Sequence, residues 1–277
     1  MVHYSSTELG AYVRHKYGER LTVLDLKGQI LSRVPDAVTE LSEIEILVLD
    51  ENELIELPVS IHKLKNLILL NLKNNKLTEL PVEIGDLREL RELSVSNNQL
   101  VGLPTSIQRL TKLEKLDLYG NKLTELPAEI SGLRELRELW VSYNQLVGLP
   151  TSIQRLTKLE RLYLNGNKLT ELPAEISDFR ELRELSMSNN QLVGLPTSIQ
   201  RLTKLERLYL SGNRLTELPA EISDLRELRE LSVIRNPLTV DAVRRALKLR
   251  KKGVLVRGVV GKHCGYCSYL EVRKKTR

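Results

Sequence analysis

The hydrophobic positions of this chain repeat on a long period. Leucine recurs as L-x-x-L-x-L, an asparagine follows three positions later, and L-x-x-L-P-x-x-I-x-x-L completes the cycle before it restarts 23 residues on. Cycles begin at Leu21, Ile44, Leu67, Leu90, Leu113, Leu136, Leu159, Leu182, Leu205 and Leu228. The prolines from Pro35 through Pro58, Pro81 and onward to Pro219 keep the same interval. Self-similarity of this length is the mark of a stacked repeat and outranks local propensity. Within each cycle the L-x-L step, such as Leu70-Asn71-Leu72, sends alternate residues to opposite faces, which predicts a short strand with its leucines inward. A single coil cannot bury those leucines, but stacked coils bury them against one another. The predicted fold is therefore an α/β solenoid, a right-handed superhelix of ten coils. Its parallel sheet lines the concave face, and short helical or 3-10 segments lie on the convex face.

Two columns explain how each coil turns. Asn52, Asn75, Asn98, Asn121, Asn144, Asn167, Asn190, Asn213 and Asn236 fall where the chain leaves the strand. There a side-chain amide can satisfy backbone groups left unpaired by the turn. Gln29 takes this place in the first coil, which predicts a looser, cap-like coil. The proline suits the first position of a convex helical segment, where a missing N–H costs nothing.

The ends read as caps. Ser5-x-x-Glu8 forms a capping box with Tyr4 and Leu9 as its staple, and Leu9, Tyr12, Val13 and Tyr17 share one face of a helix over 5–17. Val240, Val243 and Leu247 share a face of a second helix that ends near Gly253. The organisation predicted is a capping helix in 1–20, the solenoid in 21–239, a second capping helix in 240–253 and a basic tail in 254–277.

The cycle resembles the leucine-rich-repeat superfamily from residue 21 to about 240. Its 23-residue LP-x-x-I form is similar to the intracellular Ras-group class found in Scribble- and Erbin-type scaffolds and in Roco proteins. The resemblance implies protein recognition on a concave sheet, and the residues themselves point to no cofactor and no catalysis.

Charge and composition narrow the function classes. Hydrophobic residues make up 41% of the chain but aromatics only 4%, so the core is aliphatic, as the cycle requires. The net charge of +6 is unevenly placed. From Asp241 to Arg277 twelve lysines and arginines face Asp241 and Glu271, a net of +10, which leaves −4 for residues 1–240. Arg244, Arg245, Lys248, Arg250, Lys251 and Lys252 crowd the last helix. They read as the solvated face of a cap, with acidic membrane contact a weaker option and no aromatic interleaving to suggest nucleic acid. Cys264 and Cys267 are the only cysteines, and their C-x-x-C with His263 offers one ligand too few for structural zinc. No apolar run suggests a signal peptide or a membrane helix, so a cytoplasmic protein is expected. Gly261-Lys262 lacks the phosphate-loop context, and paired carboxylates such as Glu125 and Glu129 recur along the rod instead of converging on a pocket.

A second period of 46 residues overlies the first, because coils alternate between two types. Arg91, Glu114, Arg137, Glu160, Arg183, Glu206 and Arg229 form one column of alternating sign; Glu92, Lys115, Glu138, Arg161, Glu184, Arg207 and Glu230 form the next. With strands ~4.8 Å apart, each charge would face opposite charges on both sides. Duplication of a two-coil unit accounts for the pattern equally well. The near-identical copies differ mostly on the concave side, where Tyr119, Trp140, Tyr143, Tyr163 and Tyr209 appear; Phe179 alone points inward. Exposed aromatics at the centre of a sheet are the usual material of binding hot spots. The expected partner site is therefore these five aromatics with Arg161 and Arg207, gripping a protein of unknown identity. An apolar surface at Val23, Ile46, Val48 and Leu69 reads as territory for the N-terminal cap. The function expected is an interaction scaffold or adaptor in signalling. Alternatives are a regulatory fragment of a Roco-type enzyme and an immune-type recognition module.

Overall fold

The structure, a computed structural model, describes residues 22–259. The helix expected over 5–17 and the His263, Cys264 and Cys267 group lie outside the described residues. The chain divides into two compact units, Met1–Asn144 and Gln145–Arg277.

The first unit carries six strands: β1 Val23–Asp25, β2 Ile46–Val48, β3 Leu69–Asn71, β4 Glu92–Ser94, β5 Lys115–Asp117 and β6 Glu138–Trp140. Neighbours pair in parallel with a register shift of 23 residues, Leu24 opposite Leu47 and Leu47 opposite Leu70. The second unit repeats the arrangement with β7 Arg161–Tyr163, β8 Glu184–Ser186, β9 Arg207–Tyr209, β10 Glu230–Ser232 and β11 Leu255–Arg257. Each strand is three residues long because only the central leucine points inward. Leu24, Leu47, Leu70, Leu93, Leu116 and Leu139 are buried to within 1% of completion, as are Leu162, Leu185, Leu208 and Leu231. Full burial of one such side chain contributes about 1.5–3 kcal/mol, and only neighbouring coils supply the covering atoms. This is an α/β solenoid in both units.

The convex connections are five-residue 3-10 segments, among them Val59–Lys63, Val82–Asp86, Thr105–Arg109 and, last, Ala220–Asp224. Coil one has instead a short helix, α1, Asp36–Thr39. The proline stands just before each segment in extended backbone, and its carbonyl accepts the first turn's bond, as Ile61 N–H to Pro58 O at 3.0 Å. It is thus the cap residue instead of the first helical one.

The asparagines tie each coil to its predecessor. Asn121 Nδ2 donates to Leu118 O at 3.1 Å in its own coil and to Val95 O at 3.0 Å one coil back, while its Oδ1 accepts from Leu100 N at 3.0 Å. Gln29 makes one local bond, Nε2 to Lys27 O, from an exposed position, in keeping with a looser first coil.

At the C-terminal end α2 spans Val240–Lys251, and Thr239 Oγ1 caps it by accepting from Ala242 N at 3.3 Å. Its buried face is Ala242, Val243, Ala246 and Leu249. Val243 was expected there; Val240 and Leu247 are only half-buried, because the helix packs through its small alanines. Leu255–Arg257, which composition assigned to a basic tail, is instead strand β11, with Leu231 opposite Val256. It covers the edge of β10, whose ladder groups would otherwise be open to other chains.

Candidate functional site

The first and third residues of every strand face away from the core, so they compose the strand face. On it the two predicted charge columns take shape. Arg91 Nη1 meets Glu114 Oε1 at 2.6 Å, and Arg183 meets Glu206 at 2.8 Å. Glu206 also receives Arg229 at 3.4 Å, and Arg207 pairs with Glu184 at 3.3 Å. The hydrogen bond from Arg183, with further cations around it, holds the Glu206 carboxyl below the usual glutamate range. In the first three strands the column of Glu92 and Lys115 turns apolar, with Val23, Ile46 and Leu69 side by side in register.

The aromatic residues of the first unit gather at β5 and β6. Trp140 lies opposite Asp117 in the strand register. Its Nε1 donates to Glu138 Oε2 at 3.2 Å, and Lys115 Nζ stands 5.8 Å from the ring centroid, within reach of a cation–π attraction. Just past the strands, Tyr119 and Tyr143 meet with ring centroids 5.1 Å apart at 60°. Across β3 to β5 a depression of about 210 Å³ is lined by Leu69 and Asn71 at one side and by Lys115 and Asp117 at the other.

Tyr143 is the unexpected member of this group. It does not sit on the strand but on the residue before Asn144, with φ of 57°. The equivalent residue of every coil is left-handed, and in seven of ten it is glycine or asparagine: Gly28, Asn74, Asn97, Gly120, Gly166, Asn189 and Gly212. Those residues accept this backbone with little cost, whereas a side chain such as tyrosine does not. The exceptions are Glu51, Tyr143 and Arg235. Glu51 is held by Lys27, which bridges it and Asp50 at 2.9 Å each. Tyr143 is 53% exposed. The recurrence of glycine and asparagine in this column was the sequence signal for the turn.

In the second unit Tyr163 and Tyr209 flank Ser186 on adjacent strands. Tyr209 Oη donates to Glu230 Oε2 at 3.0 Å, and burial, reinforced by that carboxylate, raises its phenol above the ordinary value. Arg161 lies opposite Glu184, the carboxylate that Arg207 holds. Asn165 Oδ1 accepts from Ser186 Oγ and Ser188 N, and Ser211 bonds Ser232 at 2.8 Å. The polar groups of this face largely satisfy one another. Of the seven residues expected to form one partner site, Tyr119, Trp140 and Tyr143 belong to the first unit; Arg161, Tyr163, Arg207 and Tyr209 belong to the second. Phe179 is fully buried, as its inward assignment required.

Among the described residues no cluster of His, Cys, Asp or Glu is placed to hold a metal ion, and no helix is long and apolar enough to cross a membrane. The site offers ring faces, apolar side chains and fixed charges, which is the chemistry of recognition.

Known proteins share this architecture. A family model described as a leucine-rich repeat region matches residues 82–167 and 153–256, and a second, described as leucine rich repeat, matches 42–100. No curated protein matches the sequence. Among solved structures, a TDR receptor is 30% identical, with a TM-score of 0.77 over 84% of this chain and 42% of its own. The plant peptide hormone receptor RGFR1 in complex with RGF2 is 32% identical, with a TM-score of 0.72 over 83% of this chain and 38% of its own. PEPR1–AtPEP1 is 29% identical, with a TM-score of 0.65 over 85% and 37% respectively. The chain thus spans about two fifths of those receptors' length. With the 23-residue cycle, the asparagine ladder and these matches together, the chain belongs to the leucine-rich-repeat family.

Proposed function

We propose that this protein is a non-catalytic interaction module, a scaffold or adaptor in cytoplasmic signalling, that holds a partner protein on the strand face of its first unit. The observation that carries the reading is the aromatic group of half-buried Trp140 with exposed Tyr119 and Tyr143, Tyr143 being kept in a backbone conformation that disfavours it. Rigid aromatic side chains at the centre of a patch supply most of the energy in protein interfaces. The neighbouring depression gives such a partner further surface to cover. Two similar structures are of receptors with a bound partner, RGF2 and AtPEP1, which supports recognition as the general use of this fold. The intracellular assignment rests on the LP-x-x-I form of the cycle.

The test is quantitative affinity capture with the intact chain beside two variants. Trp140→Ala with Tyr143→Asn should lose the retained partner, while Tyr163→Ala with Tyr209→Ala should keep it. An unchanged set of captured proteins in the first variant, with the fold intact by circular dichroism, would sink the proposal. A second reading, as the recognition part of a longer receptor or signalling enzyme, is favoured by the greater length of the similar receptors. The intact mass of the native protein from its source cells separates the two.

A further inference from the structure

The repeat body is mildly acidic overall, whereas the C-terminal end is strongly basic. Along the coils, lysines and arginines find carboxylates one coil away: Lys63 with Glu40, Arg109 with Asp86, Lys112 with Glu89 and Lys204 with Glu181. On α2 and just beyond, seven cations, Arg244, Arg245, Lys248, Arg250, Lys251, Lys252 and Arg257, stand with a single acid, Asp241. Arg244 pairs with Asp241 at 2.9 Å, Arg245 with Glu217 at 3.0 Å and Arg257 with Glu230 at 2.8 Å. Lys252 donates to Ser223 O at 3.2 Å. Lys248, Arg250 and Lys251 are exposed and meet no carboxylate among the described residues.

Their placement makes a surface. Arg244, Lys248 and Lys251 are four and three residues apart, so they run in one stripe along the exposed side of the helix. The opposite side, Ala242, Val243, Ala246 and Leu249, is buried, which locks the stripe outward. Cations near a helix C-terminus are favoured by its dipole, which serves Lys248, Arg250 and Lys251 in the last turn, yet that effect does not extend to Arg244 or Arg245. A fixed positive stripe, paired only at Arg244, fits a broad negative surface better than a single ligand.

We propose that α2 is a docking surface for an acidic lipid bilayer, attaching the protein to anionic headgroups. No aromatic side chain stands on this helix to stack on a base, so a membrane is favoured over single-stranded nucleic acid. The helix lies on the convex side, packed against Ala220–Asp224, so a bilayer there leaves the strand face of its unit open.

The test is co-sedimentation of the full chain with vesicles of phosphatidylcholine alone and of phosphatidylcholine mixed with phosphatidylserine, at low and at physiological salt. Binding should require phosphatidylserine and fall steeply with salt. Each basic residue near an acidic leaflet strengthens partitioning about fivefold, so Lys248→Gln, Arg250→Gln and Lys251→Gln together should weaken it on the order of a hundredfold. A control with equal loss of charge elsewhere, Arg33→Gln, Lys65→Gln and Arg134→Gln, should weaken it far less. Equal losses in both triple variants, no uptake by phosphatidylserine vesicles at low salt, or tighter binding to a DNA duplex than to the vesicles would each overturn the proposal.

Discussion

Replacing Tyr143 by asparagine should stabilise the protein while weakening its grip on a partner. Asn97 and Asn189 hold the equivalent place in the sister coils with φ of 53° and 58°, so the backbone demanded is the same. A left-handed residue with a β-carbon costs roughly 1–2 kcal/mol, and asparagine bears less of this than tyrosine because its short polar side chain is tolerated there. Against the relief stands the lost contact with Tyr119. Tilted aromatic pairs contribute ~0.5–1.5 kcal/mol, and this one belongs at the low end because both rings are exposed. The net expectation for Tyr143→Asn is a gain of about 0.5–1 kcal/mol.

Tyr143→Ala isolates the backbone contribution, since alanine keeps the penalty and also loses the ring. It should lose ~0.5 kcal/mol. At a urea dependence of ~1–3 kcal/mol per molar, the two variants should differ in midpoint by about 0.3–1.5 M. Trp140 is the only tryptophan and lies three residues away, so its fluorescence follows this region directly. An asparagine variant no more stable than the alanine variant would refute the strain argument. Loss of binding by a variant more stable than the parent would tie that loss to the ring and not to unfolding.

Two further outcomes follow from the coil geometry. Asn121→Ala leaves Leu100 N without its acceptor and removes one of two amide donors from each of Val95 O and Leu118 O, which Asn98 and Asn144 still serve, so it should cost on the order of 1–3 kcal/mol in denaturant unfolding, whereas Gln29→Ala, with one exposed local bond, should stay within about 0.5 kcal/mol. Glu206 is held below its ordinary range by Arg183 and its neighbours, so the folded state favours its charged form. That contribution is present above the unfolded glutamate value and is lost as pH falls through the lower folded one. Unfolding midpoints of the parent and Glu206→Gln should therefore converge on acidification through that window. A gap that holds down to full protonation would remove the charge column from the account.

Much of the fold was legible because the chain carries its own comparison set. Leu24, Leu47 and Leu70 recur at one spacing, so their inward direction and the parallel register followed from packing alone. The asparagine ladder and the alternating charges were readable for the same reason: each is a column with one physical task. Strand β11 was not readable, since Leu255-Val256-Arg257 lies outside the cycle and forms through the open edge of β10, a feature of the assembled sheet. Nor could a period that treats all coils alike show a division between Asn144 and Gln145, so residues expected in one partner site fall in two units.

The left-handed column separates what the fold needs from what the site needs. Glycine or asparagine meets the turn's demand in seven coils, and at Gly120 the fit is close enough that a β-carbon would collide with Asn97 Oδ1. The duplicated coil unit thus already carries the low-cost answer, as its copies at Asn97 and Asn189 show. The middle copy has tyrosine there instead, beside Trp140 where the same copies have Ser94 and Ser186. Two aromatic replacements within four residues, one of them at a backbone cost that its exposed contact with Tyr119 only partly offsets, do not improve the coil. What they add is ring surface facing away from the core, and that surface is the part of this repeat that packing leaves unexplained.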